Sequence, residues 1–436
     1  MKNLLRLSVV LVVGILIFLF VDGVNKMYFH QDDIILMWDV ATRFPGTLLE
    51  TATGHLIFLF KPIYLLEWLV FGLNFPGYLA VSIGLHALTV YTASRIVLRL
   101  TKSTFWQTIT LLTLVINVNF YEILWMPSSQ MMSISTLFSL LSLALCLDII
   151  SKKVTGSKLL LLYLVALVPG LNWGTGLIIP ICLLVAFWGT GVVLPLALSQ
   201  ATLIYIYFTK SGGEVASINL LESLKFVFFG ISYSVLGRSL FPLASRFFRF
   251  VAVITLSFWI YFSNFITKVR PLIAGNIRII LLGALVLFGS YSLISISRWQ
   301  FGLGQAGAPR YAYLPMMFLT IAVTTTLAKL NLKLKTKEVL LVVVMMYTIL
   351  SLGGFAQVTV KWTERPQKNR VLFQYLKSLE PGDCIKDTVL PWYIVEVDTW
   401  TLKDIWPVFK KDFNPFMDKK DCVEIKRDVS IPWTPF

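Results

Sequence analysis

Residues 4–21 read LLRLSVVLVVGILIFLFV, and DGVNKMYFHQDDIILMWDV follows at once as residues 22–40. The first stretch is interrupted only by Arg6 and is about long enough to cross a bilayer as a helix. The second sets two adjacent carboxylates, Asp32 and Asp33, where that helix should emerge into water. Ionisable groups are expensive near hydrocarbon, so a carboxylate pair in this position marks a candidate site at the membrane surface.

The rest of the chain extends this reading. Its 436 residues are 57% hydrophobic and 14% charged, with a mean hydropathy of +0.76. Soluble domains are nearer one-quarter charged, so the composition predicts a polytopic membrane protein. Met1, Lys2 and Arg6 before the apolar run have the form of a secretion signal. No small-residue cleavage site follows, which predicts an uncleaved anchor helix.

Eleven apolar segments can be drawn, at roughly 4–21, 77–98, 104–120, 130–150, 158–170, 175–188, 192–208, 246–266, 279–297, 311–328 and 338–357. With the N-terminus in the cytoplasm, alternate loops are cytoplasmic too. Those loops carry Arg95, Arg99 and Lys102; Lys152, Lys153 and Lys158; Lys268, Arg270 and Arg278; and Lys329, Lys333, Lys335 and Lys337, with almost no acids. This is the positive-inside bias. It accounts for most of the +15 net charge without a nucleic-acid partner, because the tail 358–436 holds 13 basic and 12 acidic residues.

An odd number of spans places the tail outside, together with the loop 22–76. Within that loop HLIFLFKPIYLLEWLVFGL, 55–73, is amphipathic and is expected to lie along the interface; 222–243 could do the same. Two domains are expected, a membrane domain 1–357 and a small extracytoplasmic α/β or irregular domain 358–436. Cys146 and Cys182 lie in apolar runs and read as buried thiols, whereas Cys384 and Cys422 share the tail. A cysteine pair confined to one small region facing an oxidising compartment predicts a disulfide.

Three constellations could carry chemistry on the outer side. In the Asp32–Asp33 pair one carboxylate could act as base while its neighbour tunes it or orients a hydroxyl. A lone DD dipeptide is also common in plain loops. The second is RWQFGLGQAGAPRYAYLP, 298–315, whose Arg298 and Arg310 suit phosphate oxygens and equally suit interfacial anchoring. The third is NVNFYEILWMPSSQMM, 117–132, where Glu122 is either a substrate contact or a solvated loop residue. Lys61 adds another outer cation; His86 reads as a structural residue inside the second apolar segment.

Taken together these segments resemble the GT-C superfamily of membrane glycosyltransferases, most closely the protein O-mannosyltransferase-like branch. HQDDIIL, 30–36, matches the acidic pair of its first external loop. HLIFLFKPIYLLEWLVFGLNFPGYLAVSIGLHALTVY, 55–91, looks like its interfacial segment and second helix, with Lys61-Pro62 where Arg-Pro is usual. YEILWMPSSQMMSISTLFSLLSLAL, 121–145, is similar to its Glu-containing turn and fourth helix, and APRYAYLP, 308–315, to the start of a late helix. The match runs in order over roughly 1–330. LNWGTG, 171–176, stands where a charged Ser-Lys-Glu turn is frequent, and neither TPR repeats nor a nameable tail follow.

The resemblance implies an all-α GT-C-like fold of about eleven transmembrane helices in the plasma (inner) membrane. It implies transfer of a sugar, usually with inversion, from a polyprenyl-phosphate donor to a protein, lipid or glycan acceptor outside the cytoplasm. It points to Asp32 as the base with Asp33 in support, and to Arg310 with Lys61 or Arg298 at the donor phosphate. His55, Glu122 and Tyr311 are the candidates for other substrate contacts. Some members of such families use a divalent cation, and Asp32 with Asp33 could hold one; no metal is the favoured expectation here.

Other classes make different demands. A transporter of lipid-linked sugars calls for ionisable groups near helix centres and often an inverted repeat, and the apolar segments show neither. A glycan polymerase or ligase of another membrane fold would use outer arginines but leaves the acidic pair unexplained. A scaffold presenting the tail needs none of these residues.

Overall fold

The structure is a computed structural model that describes residues 2–48, 50–52, 55–152, 154–210, 219–240, 276–330 and 332–378, with 384–385, 404, 408 and 428–429 beyond them. It is helical, and among the described residues six helices are long and apolar enough to cross a membrane. Ten of the eleven expected apolar segments fall on helices; the one at 246–266 lies outside the described residues.

The first helix, α1 (Lys2–Lys26), is followed by two short helices, α2 (Gln31–Thr42) and α3 (Phe60–Phe71), joined through a minimal antiparallel pair, β1 (Thr51–Ala52) and β2 (His55–Leu56). Then come α4 (Phe75–Thr101), α5 (Thr104–Val115), the single turn α6 (Tyr121–Trp125), α7 (Gln130–Ser151), α8 (Gly156–Asn172), α9 (Ile179–Ala186), α10 (Val193–Lys210) and α11 (Leu220–Leu240). The description resumes with α12 (Ile277–Arg298), the turn α13 (Leu303–Ala306), α14 (Tyr313–Leu327), α15 (Leu334–Trp362) and α16 (Glu364–Ser378). In the tail β3 (Cys384–Ile385) pairs in parallel with β4 (Asp428–Val429).

The expected segments differ in length for physical reasons. The 104–120 run stops at Val115, because Ile116 and Asn117 are extended and the Asn117 side chain accepts the Asn119 N–H at 2.9 Å. At 12 residues, α5 spans about 18 Å, short of the hydrocarbon thickness. At the other end, α15 continues past the 357 boundary to Trp362. Residues 222–240 of the 222–243 segment lie in α11, which packs against α12, and 241–243 lie outside the described residues.

The centre is built from α4, α7, α8, α12 and α14. A row of serines lets the backbones approach: Ser135, Ser139 and Ser142 of α7 are buried, and the Ser135 hydroxyl donates to the Pro169 carbonyl of α8 at 3.0 Å. Small hydroxyl residues serve this purpose where apolar burial cannot drive helix association. The short helix α3 has its polarity inverted. Lys61, Tyr64 and Glu67 face inward, while Leu66, Leu69 and Val70 are each more than half exposed. A soluble helix would turn these faces the other way; an interfacial one lays the apolar residues in lipid.

Candidate active site

The acidic pair opens α2. His30 is its N-cap, and Asp33, three residues on, accepts the His30 N–H on Oδ2 at 2.7 Å. This is the return arm of a capping box. The other oxygen, Oδ1, accepts the backbone N–H of Ser128 at 2.7 Å, in the turn between α6 and α7. The Tyr64 hydroxyl of α3 donates to the Asp33 carbonyl at 3.3 Å. Asp33 is fully buried and ties α2 to α3 and to the head of α7. Burial raises its carboxyl from the usual 3.8 to about 7, against the lowering effect of the two N–H donors, and Asp32 adds a smaller push in the same direction.

Asp32 is its opposite. It is only partly buried and makes no hydrogen bond among the described residues. Its charge is felt at Arg310. Glu122 of α6 is buried, and its Oε2 accepts the Arg310 N–H at 3.3 Å and lies 3.9 Å from Arg310 Nε. The Arg310 side chain stays 27% exposed, with its guanidinium carbon 5.7 Å from the Tyr311 ring centroid. Glu122 is therefore not a solvated loop residue. It holds the turn Pro309–Ala312, which heads α14, so that Arg310 shares a site with Asp32.

Tyr311 is buried, and its hydroxyl accepts from Gln305 Nε2 at 3.1 Å. With Arg298 it lines a cavity of about 180 Å³ whose other walls include Trp173, Thr175 and Tyr207. Arg298 lies 5.5 Å from the Phe301 ring centroid. The LNWGTG stretch thus contributes apolar and hydroxyl surface here. Its Asn172 also caps the N-terminus of α3, because Oδ1 accepts the N–H groups of Leu59 and Phe60 at 3.1 and 2.9 Å.

Lys61 stands elsewhere. Its ammonium is buried, 2.9 Å from Asp39 Oδ2 and 2.6 Å from the Thr47 carbonyl. Asp39 also meets Arg43 at 3.4 Å, and Arg43 meets Glu50. Lys61 is the fixed cation that ties the turn at Thr47 to Asp39 of α2, and its charge is matched there. His55 pairs through its backbone with Ala52; its side chain lies outside the described residues. Cys384 begins β3, and Cys422 lies outside the described residues. His86 has structural partners, with Nδ1 2.9 Å from the Tyr313 hydroxyl and Nε2 3.0 Å from the Val115 carbonyl.

Among the described residues, no group of three or more His, Cys, Asp or Glu side chains is placed to hold a metal ion.

Sequence reasoning passed over one group of residues. Glu67 of α3 is buried next to this site, and its Oε2 accepts from Gln130 Nε2 at 3.3 Å, while Glu67 Oε1 and Gln130 Oε1 have no partner. Gln130 Nε2 also donates to the Tyr78 carbonyl and the Ser82 hydroxyl. Burial pushes Glu67 from 4.5 to about 8, opposed by the Gln130 hydrogen bond, with Asp33 adding to the rise. A carboxyl in the middle of an interfacial helix was the available signal. No protein-family model and no curated protein matches this chain.

Proposed function

We propose that the chain is an integral-membrane glycosyltransferase of the GT-C type that moves a sugar from a polyprenyl-phosphate donor to an extracytoplasmic acceptor. The observation that carries this reading is a convergence. Segments 30–33, 121–128 and 309–311, far apart in sequence, are fastened to one another through Asp33 with the Ser128 N–H and Glu122 with the Arg310 N–H. These are three of the four stretches on which the family resemblance rests.

The chemistry follows from the differing surroundings of the two aspartates. Asp32 is accessible and has unused lone pairs, so it takes the proton from the acceptor hydroxyl as that oxygen attacks the anomeric carbon. The bond from that carbon to the phosphate oxygen breaks with inversion, and the polyprenyl phosphate departs with an added negative charge. Arg310, anchored by its own backbone to Glu122, meets that charge with a forked guanidinium. Arg298 and the cavity beside Tyr311 offer a second cation with apolar walls suited to the carrier lipid. Asp33 takes no part in proton transfer. It holds Asp32 at the mouth of the site.

The same reading includes about eleven spans in the plasma membrane, an outer C-terminus and a Cys384–Cys422 disulfide. The test is product formation. Purified protein is incubated with labelled polyprenyl-phosphate sugars and candidate protein, lipid and glycan acceptors. Arg310→Ala should cut donor use by about 10- to 100-fold and Arg310→Lys should restore part of it, because lysine keeps the charge without the fork. Unchanged donor kinetics in both variants would leave Arg310 an interfacial anchor and remove the phosphate site.

A further inference from the structure

The ends of α4 and α7 away from the acidic pair form a second, unrelated feature. Helix α7 starts beside Ser128, which holds Asp33, and runs 22 residues to Ser151. At 1.5 Å per residue that is about 33 Å, roughly one hydrocarbon thickness. A cavity of about 940 Å³ opens there between the two helices, lined by Arg95, Arg99, Lys102 and Lys152 over an apolar floor that includes Ile96 and Leu147.

Its charge is organised. Asp148 is the one acid among its described lining residues, and three cations meet that carboxylate: Lys152 and Lys158 at 2.8 Å each, and Arg99 at 3.4 Å. Arg99 also donates to the Ala144 carbonyl at 3.2 Å and the Ser151 hydroxyl at 2.8 Å, so its guanidinium is fixed across the helix pair. Arg95 and Arg99 fall at i and i+4 on one stripe of α4, and Lys102 follows as its left-handed C-cap. Arg95 and Lys102 are exposed and have no partner among the described residues. One carboxylate cannot balance this set. A merely basic loop, as the positive-inside bias produces, requires neither a concavity nor a guanidinium locked on three acceptors.

We propose that this cavity binds the phosphate headgroup of an anionic glycerophospholipid from the leaflet that receives the C-terminal end of α4. Arg95 and Lys102 bind the phosphate oxygens, Arg99 and Lys152 set the field around them, and the apolar floor takes the upper part of an acyl chain. The site is separate from the acidic pair, and the proposal stands whether or not the chain transfers sugars.

The experiment titrates purified full-length protein in detergent with phosphatidylglycerol or phosphatidylcholine and counts bound lipid by native mass spectrometry. Phosphatidylglycerol should be retained and phosphatidylcholine should not. Arg95→Gln/Lys102→Gln should weaken phosphatidylglycerol binding by roughly thirtyfold, from the attraction each basic residue exerts on an anionic surface. Lys329→Gln/Lys335→Gln, which removes two exposed cations at the same end of the molecule, should leave it unchanged. Soluble glycerol phosphate at the same concentration should not displace the lipid. Should the double variant fail to fold, Arg95→Gln alone gives the same reading with about a fivefold loss. Equal binding by the Arg95 variants and wild type would overturn the proposal. So would an equal loss in the Lys329/Lys335 control, or displacement by glycerol phosphate.

Discussion

Both oxygens of Asp33 accept backbone N–H groups, whereas its neighbour Asp32 accepts none among the described residues. Asparagine at 33 would set an NH₂ group against one of those two donors. Asp33→Asn should therefore destabilise the fold by about 1–3 kcal/mol, read as a lower midpoint of thermal unfolding in detergent. The buried acids also make stability depend on pH. Asp33 and Glu67 are raised to about 7 and about 8, so the folded chain keeps protons that the unfolded chain has released. That contribution is complete below the unfolded values near 4 and is lost as pH rises through 7 and then 8. Glu67→Gln keeps an acceptor for Gln130 and removes the titration. Its melting temperature, compared with wild type from about pH 5 to about pH 9, should fall less steeply. A wild-type slope unchanged by Glu67→Gln would show that Glu67 stays ionised. The acidic pair and Arg310 were legible in the sequence because charge beside hydrocarbon is conspicuous. The residues alone did not divide the labour between the two aspartates, because neighbours on a helix point in different directions; the resemblance named Asp32, and the capping geometry adds that both oxygens of Asp33 are already hydrogen-bonded. Lys61 illustrates the same limit: its residue type suited phosphate, but its partner Asp39 lies 22 positions earlier and no local pattern joins them.

At the scale of elements, α16 explains how the start of the tail meets the site. Arg370 donates to the carbonyls of Val24, Asn25 and Met27 at the end of α1, and the neighbouring Asn369 donates to the Phe29 carbonyl at 2.9 Å. The last carbonyls of a helix lack intrahelical partners, and a guanidinium satisfies several of them while complementing the helix dipole. Tyr28 and Phe373 pack beside this clamp with ring centroids 5.2 Å apart. The next residues are His30, Gln31 and Asp32, so α16 sets where the acidic pair begins. Arg370→Met should cost about 1–3 kcal/mol and hasten proteolysis of the 22–30 segment, with Arg370→Lys intermediate. Protease resistance equal to wild type in Arg370→Met would dissociate the clamp from the loop. The expected boundary at 357 missed this attachment. Hydropathy falls there as α15 leaves its apolar stretch, yet the helix continues, and α16 folds back on polar contacts that carry no hydrophobic period.

For the whole molecule, apolar length and loop charge located helices well and resolved breaks poorly. A run such as 104–120 reads as continuous until Asn117 uses its side chain to close a different turn. The loop-charge bias makes a prediction of its own. Lys152→Cys should resist membrane-impermeant thiol reagents in intact cells, and Ser378→Cys should react, placing Asp32 on the outer side with α16. The reverse labelling would put the acidic pair in the cytoplasm and end the proposed mechanism. The most direct measurement is turnover of labelled polyprenyl-phosphate sugar by purified, folded protein carrying Asp32→Asn. Asparagine keeps the shape of the base but cannot accept the acceptor proton, so transfer should fall by about 10²–10⁴-fold with little change in melting temperature. Transfer at a near-normal rate in Asp32→Asn would contradict the role of Asp32 as the base.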